Sequence, residues 1–249
     1  MADKIVIDAG HNGLSDPGAV YNGRRESDDA LRLAMAVGEI LSRNGYEIVY
    51  TRTGNLNQSV TQKAKLANDA DADLFISIHR NMGTYPEQYN GVQTLIYDRE
   101  GIKQPMAEAI NRNLEGLGFR NINVDLRPDL AVLRRTEMPA LLLEVGFIDS
   151  EGDNKLFDNR FEEIAQAIAD AIMDTLDAAD DDDANPLRYT YRPPYFLETP
   201  NQTASSPPSN ETPAPLYRVQ VGAFHNLQNA IELEQELKLL GYNTWIVTV

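Results

Sequence analysis

The sequence predicts an α/β fold in which buried strands form a sheet flanked by helices. Short runs of apolar residues, such as Ile5–Ile7 and Leu74–Ile78, are typical of strands buried on both faces of a sheet. Segments with apolar residues at three- and four-residue spacing lie between these runs, as expected for helices packed on the sheet. A chain of 249 residues, 42% of them hydrophobic, can hold one sizeable domain and a smaller one.

Predicted helices and strands follow one another from residue 5 to residue 177. The first helix begins at Glu26, with acidic residues in its first turn, and ends at Asn44-Gly45. We predict strands at 5–7, 46–51, 74–79, 91–97, 130–133 and 140–146, and further helices at 58–70, 103–117 and 160–177. The opening strand, helix and strand form a βαβ unit.

The composition changes after the last predicted helix. Four consecutive aspartates at 180–183 precede a segment at 185–215 that is rich in Pro, Ser, Thr and Asn and can bury little apolar surface. Residues 216–249 then regain the pattern of a strand, a helix and a second strand. We therefore predict a main domain at 1–178, an acidic and Pro/Ser/Thr-rich linker at 179–215 and a small βαβ module at 216–249.

Composition also excludes several classes of function. The formal net charge of −16 argues against binding to nucleic acid or to an anionic membrane. Because the chain has no cysteine, disulfides and thiolate zinc sites are excluded, and any metal must be held by His, Asp or Glu. No apolar run is long enough to span a membrane, and no signal peptide precedes the first strand, so we expect synthesis in the cytoplasm.

Four polar residues stand at the ends or starts of predicted elements. His11 follows the first strand and His79 ends the third, Glu26 opens a helix, and Glu144 lies in the last buried strand. Local roles could explain the first three, but an ionised carboxylate in an apolar strand is costly unless it is paired. Two imidazoles and one carboxylate indicate a catalytic zinc site with an open position for water, with a second carboxylate available as general base. The residues alone leave open which carboxylate takes which role.

The stretches around these residues resemble the motifs of zinc-dependent N-acetylmuramoyl-L-alanine amidases of the amidase 3 type. The resemblance covers residues 3–177 and rests on Asp8-Ala9-Gly10-His11-Asn12-Gly13, Glu26 at a helix start, Ser77-Ile78-His79-Arg80-Asn81 and Leu143-Glu144-Val145-Gly146-Phe147. It implies that His11, Glu26 and His79 bind one zinc ion and that Glu144 is the general base. It also implies a twisted mixed sheet and hydrolysis of the amide between N-acetylmuramic acid and the L-alanine of peptidoglycan stem peptides.

The sequence departs from this family beside the expected ligands. Ala9 and Asn12 stand where the family usually has Pro and a second Gly, and Arg80 stands where a small residue is usual. We expect these departures to alter substrate fit or rate more than metal binding. Asp8 has two candidate roles: it orients a ligand imidazole, or it serves only to end the strand.

The C-terminal segment is similar to SPOR repeats, which are peptidoglycan-binding modules. The similarity rests on Tyr217-Arg218-Val219-Gln220-Val221-Gly222-Ala223-Phe224. It implies peptidoglycan as a partner and a likeness to the sporulation amidases of Gram-positive bacteria. A small dimerisation or packing segment is the alternative, because an unpaired terminal strand favours pairing. His225 lies in this segment and receives no role, and the oligomeric state stays open.

Three other functions remain open at this point. A phage endolysin would have the same chemistry but another biological role. A zinc peptidase would cut within the stem peptide instead of at the lactyl amide. A protein that binds the cell wall without cleaving it would not need all four polar residues.

Overall fold

The computed structural model describes residues 3–180, so the predicted linker from residue 181 onward, the C-terminal module and His225 lie outside the described residues. The strands are β1 (Lys4–Ala9), β2 (Val20–Tyr21), β3 (Arg24–Arg25), β4 (Glu47–Tyr50), β5 (Leu74–Asn81), β6 (Val92–Ile96), β7 (Asn121–Leu126) and β8 (Ala140–Phe147). The helices are α1 (Glu26–Arg43), α2 (Val60–Asp69), α3 (Lys103–Gly116), α4 (Ala131–Arg135), α5 (Glu151–Asn159) and α6 (Phe161–Asp180). None of these helices has the length and apolar content needed to cross a membrane.

Six of the strands form one mixed sheet in the order β4-β1-β5-β8-β6-β7. The first four in this order run parallel, β6 is antiparallel to β8, and β7 is parallel to β6. The predicted mixed α/β sheet flanked by helices is therefore confirmed. The carboxyl ends of β1, β5 and β8 meet at one edge of the sheet, which is where sites are usual in open α/β folds.

Two apolar clusters cover the two faces of the sheet. The larger cluster joins α1, α3 and α6 to one face through residues such as Leu33, Ile76, Ile110, Leu141 and Ile168. The smaller cluster joins α2 and α4 to the opposite face through residues such as Ala67, Phe75, Val132 and Leu142. Because side chains alternate along a strand, His79 lies on the same face as Phe75, and Glu144 on the same face as Leu142.

The strand predicted at 130–133 is wrong, because α4 occupies this region. A short apolar run does not by itself distinguish a strand from a buried helical turn. The neighbouring side chains of Val132 and Leu133 are both buried in the smaller cluster, whereas a strand would point them to opposite faces. Packing against α2 therefore decides the helical conformation here.

Four elements were missed by the sequence analysis. The two strands of the β2–β3 hairpin are joined by Asn22-Gly23, both with positive φ, as a type I′ turn requires. Strand β7 has an alternating pattern that indicates a half-exposed edge strand. Helix α5 is capped by Ser150, whose Oγ accepts a hydrogen bond from the backbone N–H of Asp153. The Asn-Gly pair, the alternation and the cap are all visible in the sequence.

Arg80, whose position relative to the substrate the sequence left open, lies inside the protein. Its guanidinium donates to Asp29 at 2.6 Å and to Asn154 at 2.7 Å, and it stacks over the ring of Phe157 at 4.2 Å. Burial lowers the pKa of Arg80 to about 10, which still leaves it charged at neutral pH. Arg80 therefore ties β5 to α1 and α5.

We predict that Arg80→Met lowers the free energy of unfolding by about 3 kcal/mol, because the buried carboxylate of Asp29 then loses the positive charge of Arg80. Urea unfolding followed by circular dichroism measures this loss. The matched control is Arg43→Met, since Arg43 is exposed and pairs with Glu39 in the preceding turn of α1. A loss for Arg80→Met as small as that of the control would contradict the account of Arg80.

Candidate metal centre and active site

Three of the residues singled out in the sequence meet at the carboxyl edge of the sheet. His11 follows β1, Glu26 is the first residue of α1, and His79 lies near the end of β5. Each offers one ligand atom, and these atoms all lie within 4.8 Å of one another. The two histidines come from neighbouring parallel strands, so the order of strands in the sheet brings them together.

The carboxylate of Glu26 lies between the two imidazole rings. Its Oε2 is 2.9 Å from His11 Nε2, and its Oε1 is 2.8 Å from His79 Nδ1. The backbone N–H groups of Ala19 and Arg80 also donate to this carboxylate, at 2.8 and 3.2 Å. Burial alone would raise the pKa of Glu26, but the hydrogen bonds with both histidines lower it well below its usual range.

Two glycines leave room for this arrangement. A Cβ atom on Gly10 would lie 2.7 Å from His79 Nε2, and one on Gly18 would lie 2.5 Å from both Glu26 Oε2 and His11 Cδ2. Gly18 also has a φ of +68°, which disfavours any other residue. The rings and the carboxylate can approach one another only because these positions carry no side chain.

His11 has a φ of +60°, in the left-handed region that residues other than glycine rarely adopt. Two buried cations hold the backbone on which it stands. Lys63 Nζ donates to the carbonyls of Ala9 and His11 at 2.7 and 3.0 Å. Arg52 donates to the carbonyls of Ala9 and Gly10 at 3.1 and 2.7 Å. Side chains from α2 and from the segment that follows β4 therefore fix three successive carbonyls of the turn that presents His11.

Asp8 does not contact His11, so its role is the structural one of the two that we considered. Its buried carboxylate binds Lys63 Nζ at 2.8 Å and accepts hydrogen bonds from Thr51 at 2.6 Å and Ser77 at 2.7 Å. Burial opposes the charged form, but Lys63 and the two hydroxyls lower the pKa of Asp8. Asp8 thereby keeps Lys63 in place beneath the His11 turn.

Asp16 takes the orienting position next to His11, and the sequence analysis missed it. Its Oδ1 is 2.8 Å from His11 Nδ1, on the opposite side of the ring from Glu26. A hydrogen bond from Nδ1–H to a carboxylate orients the ring so that Nε2, the atom that faces Glu26, is the one that a metal would bind in place of its proton. In the sequence, Asp16 stands in Asp16-Pro17-Gly18, which is typical of a turn and gives no sign of a contact with His11.

Asn12 organises the loop that delivers Asp16. Its Oδ1 accepts hydrogen bonds from the backbone N–H groups of Leu14, Ser15 and Asp16, at 2.9 to 3.1 Å. The family's usual glycine has no side chain that could make these contacts. This departure from the family pattern therefore stabilises the loop around His11.

Glu144 lies beside the histidine pair on the same face of the sheet. It is the register partner of His79 in the neighbouring strand. Its Oε2 atom is buried and has no hydrogen-bond partner in the described part of the chain. Burial raises the pKa of Glu144 to about 7; His79 opposes this rise, and the negative charge of Glu26 adds to it.

The arrangement fits a zinc ion. Two imidazole nitrogens and one carboxylate oxygen are the ligand set of a catalytic zinc site with an open position. The unpaired buried oxygen of Glu144 lies next to this set and lacks a partner that a water molecule or a substrate would supply. Of the predicted site residues, His11, Glu26 and His79 are brought into contact with one another, and Glu144 is adjacent.

The chain matches the N-acetylmuramoyl-L-alanine amidase family over residues 5–174. The chain belongs to this family. The amidase also matches the SPOR domain over residues 202–249, and SPOR domains bind peptidoglycan. It is thus a cell-wall hydrolase with peptidoglycan as its substrate.

Individual relatives agree with this assignment. The amidase is 31% identical to the sporulation-specific N-acetylmuramoyl-L-alanine amidase of Bacillus subtilis (strain 168), over 98% of this chain and 84% of that protein. It is 34% identical to the endolysin of Bacillus phage SPP1, over 71% of this chain and 67% of that protein. Among solved structures, the catalytic domain of CwlV, an amidase from Bacillus (Paenibacillus) polymyxa var. colistinus, matches with a TM-score of 0.64 and 32% identity, over 70% of this chain and 98% of that domain.

We predict that Asp16→Ala weakens zinc binding by about 10- to 100-fold, because no acceptor then holds the Nδ1 proton of His11. Competition with a chromophoric chelator measures the affinity. Asp69→Ala is the control, since Asp69 is exposed and pairs with Lys65 on α2. Equal zinc affinity in the Asp16 variant and the control would exclude an orienting role for Asp16.

We predict that Lys63→Met shifts acid unfolding to higher pH. Because folding lowers the pKa of Asp8, its carboxylate stabilises the fold at pH values above the unfolded pKa of about 4. This stabilisation is lost as the pH falls through the pKa of Asp8 in the folded protein. Without Lys63 the pKa of Asp8 rises, so this stabilisation is lost at higher pH. A pH titration followed by circular dichroism measures the midpoint, and the exposed neighbour Lys65→Met is the control. An unchanged midpoint for Lys63→Met would contradict the pairing.

Proposed function

We propose that this amidase uses one zinc ion held by His11, Glu26 and His79, with Glu144 as its general base. The observation that carries the proposal is the Glu26 carboxylate in contact with both imidazoles. Glu144, with its unpaired buried oxygen, is the neighbour of His79 in the sheet. The family membership supplies the reaction, and the contacts support the assignment of roles.

When bound, zinc lowers the pKa of a water molecule to about 7 and polarises the carbonyl of the scissile amide. Glu144 Oε2 accepts a proton from the attacking water as the new C–O bond forms. It then donates this proton to the nitrogen of L-alanine as the C–N bond breaks. Asp16 holds the Nδ1 proton of His11, and Glu26 keeps both rings at a fixed separation.

We predict that Glu144→Gln lowers kcat by at least about 100-fold and leaves zinc content at one ion per chain. The amide keeps the shape of the carboxylate but accepts no proton. Turnover on purified peptidoglycan and metal analysis of the same sample test both halves. Glu108→Gln, an exposed residue of α3, is the matched control. Full turnover by Glu144→Gln would remove Glu144 from the base role.

Mass spectrometry of digested peptidoglycan distinguishes an amidase from a peptidase. We expect free stem peptides that begin with L-alanine, formed with zinc and lost after chelation. Shortened peptides that keep the lactyl amide would instead indicate a peptidase. Activity that survives complete chelation would contradict the zinc proposal and leave the family membership intact.

For the biological role we propose lysis of the mother cell during sporulation. Support comes from the match to the sporulation-specific relative, which extends over 98% of this chain and therefore includes its C-terminal region. The endolysin match favours phage release as the second candidate, but it covers only 71% of the chain. Deletion in a spore-forming host tests the choice. Delayed release of mature spores would favour the first role, and normal release would favour the second.

A further inference from the structure

A row of polar side chains continues from Glu144 across the sheet, away from the metal site. Gln93 of β6 is the register partner of Glu144, and Asn123 of β7 is the register partner of Gln93. Register partners in neighbouring strands point to the same face of a sheet. Glu144, Gln93 and Asn123 therefore lie in line, one per strand, on one face.

This part of the face is accessible. Gln93 is half-buried and Asn123 is exposed, whereas Leu95 of the same strand and face is buried in the apolar cluster under α4. The helices α1, α3 and α6 pack on the opposite face. The row therefore runs from the active site to the edge strand β7.

The side-chain amides of Gln93 and Asn123 form a hydrogen bond with each other, and each amide keeps a second group that can bind a ligand. Gln93 Nε2 donates to Asn123 Oδ1 at 2.6 Å, which fixes the orientation of both groups. Within residues 3–180, this contact uses the Asn123 acceptor and leaves the Gln93 Oε1 acceptor and the Asn123 Nδ2 donor without a bond. A peptide group, which offers one N–H and one C=O, complements such a pair.

The spacing of the row matches a short extended peptide. Neighbouring strands lie about 4.8 Å apart, so two strand spacings separate Glu144 from Asn123 by about 10 Å. An extended chain advances about 3.3 to 3.6 Å per residue. The row is thus as long as about three residues of a peptide that crosses the strands, starting at the general base.

We propose that Gln93 and Asn123 form a subsite that binds the backbone of the stem peptide. This inference rests on the proposed function, in which Glu144 acts at the first residue of that peptide. The row carries amides and no aromatic ring, so it suits a peptide better than a sugar. Exposed aromatic rings that suit a sugar face, Tyr85 and Tyr89, lie instead on the loop between β5 and β6.

The test uses the full-length protein and three substrates: N-acetylmuramic acid linked to L-alanine, to a dipeptide and to a tripeptide. The measured quantity is kcat/KM for each. We expect Gln93→Ala to lose about fivefold, the effect of one hydrogen bond, from the dipeptide onward. We expect Asn123→Ala to lose about fivefold only with the tripeptide. Gln166→Ala, which removes a similar amide from α6 on the other face, is the control.

The subsite is supported if kcat/KM falls from the dipeptide onward for Gln93→Ala and only with the tripeptide for Asn123→Ala. Equal losses on all three substrates, or none, would overturn it. If Gln93→Ala does not fold, Asn123→Ala decides alone, because Asn123 is exposed. Failure of the proposed function is recognised separately: the unsubstituted protein would then cleave none of the three substrates, and the subsite would fall with it.

Discussion

The contact of one carboxylate with two imidazoles is the interaction on which the active site depends. Glu26 comes from a helix, whereas His11 and His79 come from parallel strands, so three elements must be correctly placed for the contact to form. The sheet order sets the distance between the strands, and the start of α1 sets the position of the acid. Disturbing any of these elements separates the ligands.

Buried positive charges hold these elements, although the chain as a whole carries a net charge of −16. Lys63 and Arg52 bind the backbone turn of His11, and Arg80 joins the end of β5 to α1. Isolated charges are costly inside a protein, but Lys63 meets Asp8 and Arg80 meets Asp29. The geometry of the site thus depends on a few buried cations.

The sequence predicted the sheet and the meeting of the site residues because polar residues at the ends of buried strands are conspicuous. His11, His79 and Glu144 interrupt apolar patterns whose period places them at one edge. Asp16 was missed because its role depends on how a loop folds back over His11, and loop paths are not encoded in periodicity. The position of Arg80 stayed open for a related reason: its place in the motif gave no sign that its side chain enters the core.

Anomalous diffraction at the zinc absorption edge, from crystals of the zinc-loaded protein, tests the central claim most directly. The account predicts one peak, bound by His11 Nε2, His79 Nδ1 and an oxygen of Glu26, the atoms that already face one another. Glu144 should lie near the peak without binding it. A peak bound by the Glu144 carboxylate, or by Nε2 of His79, would contradict the account.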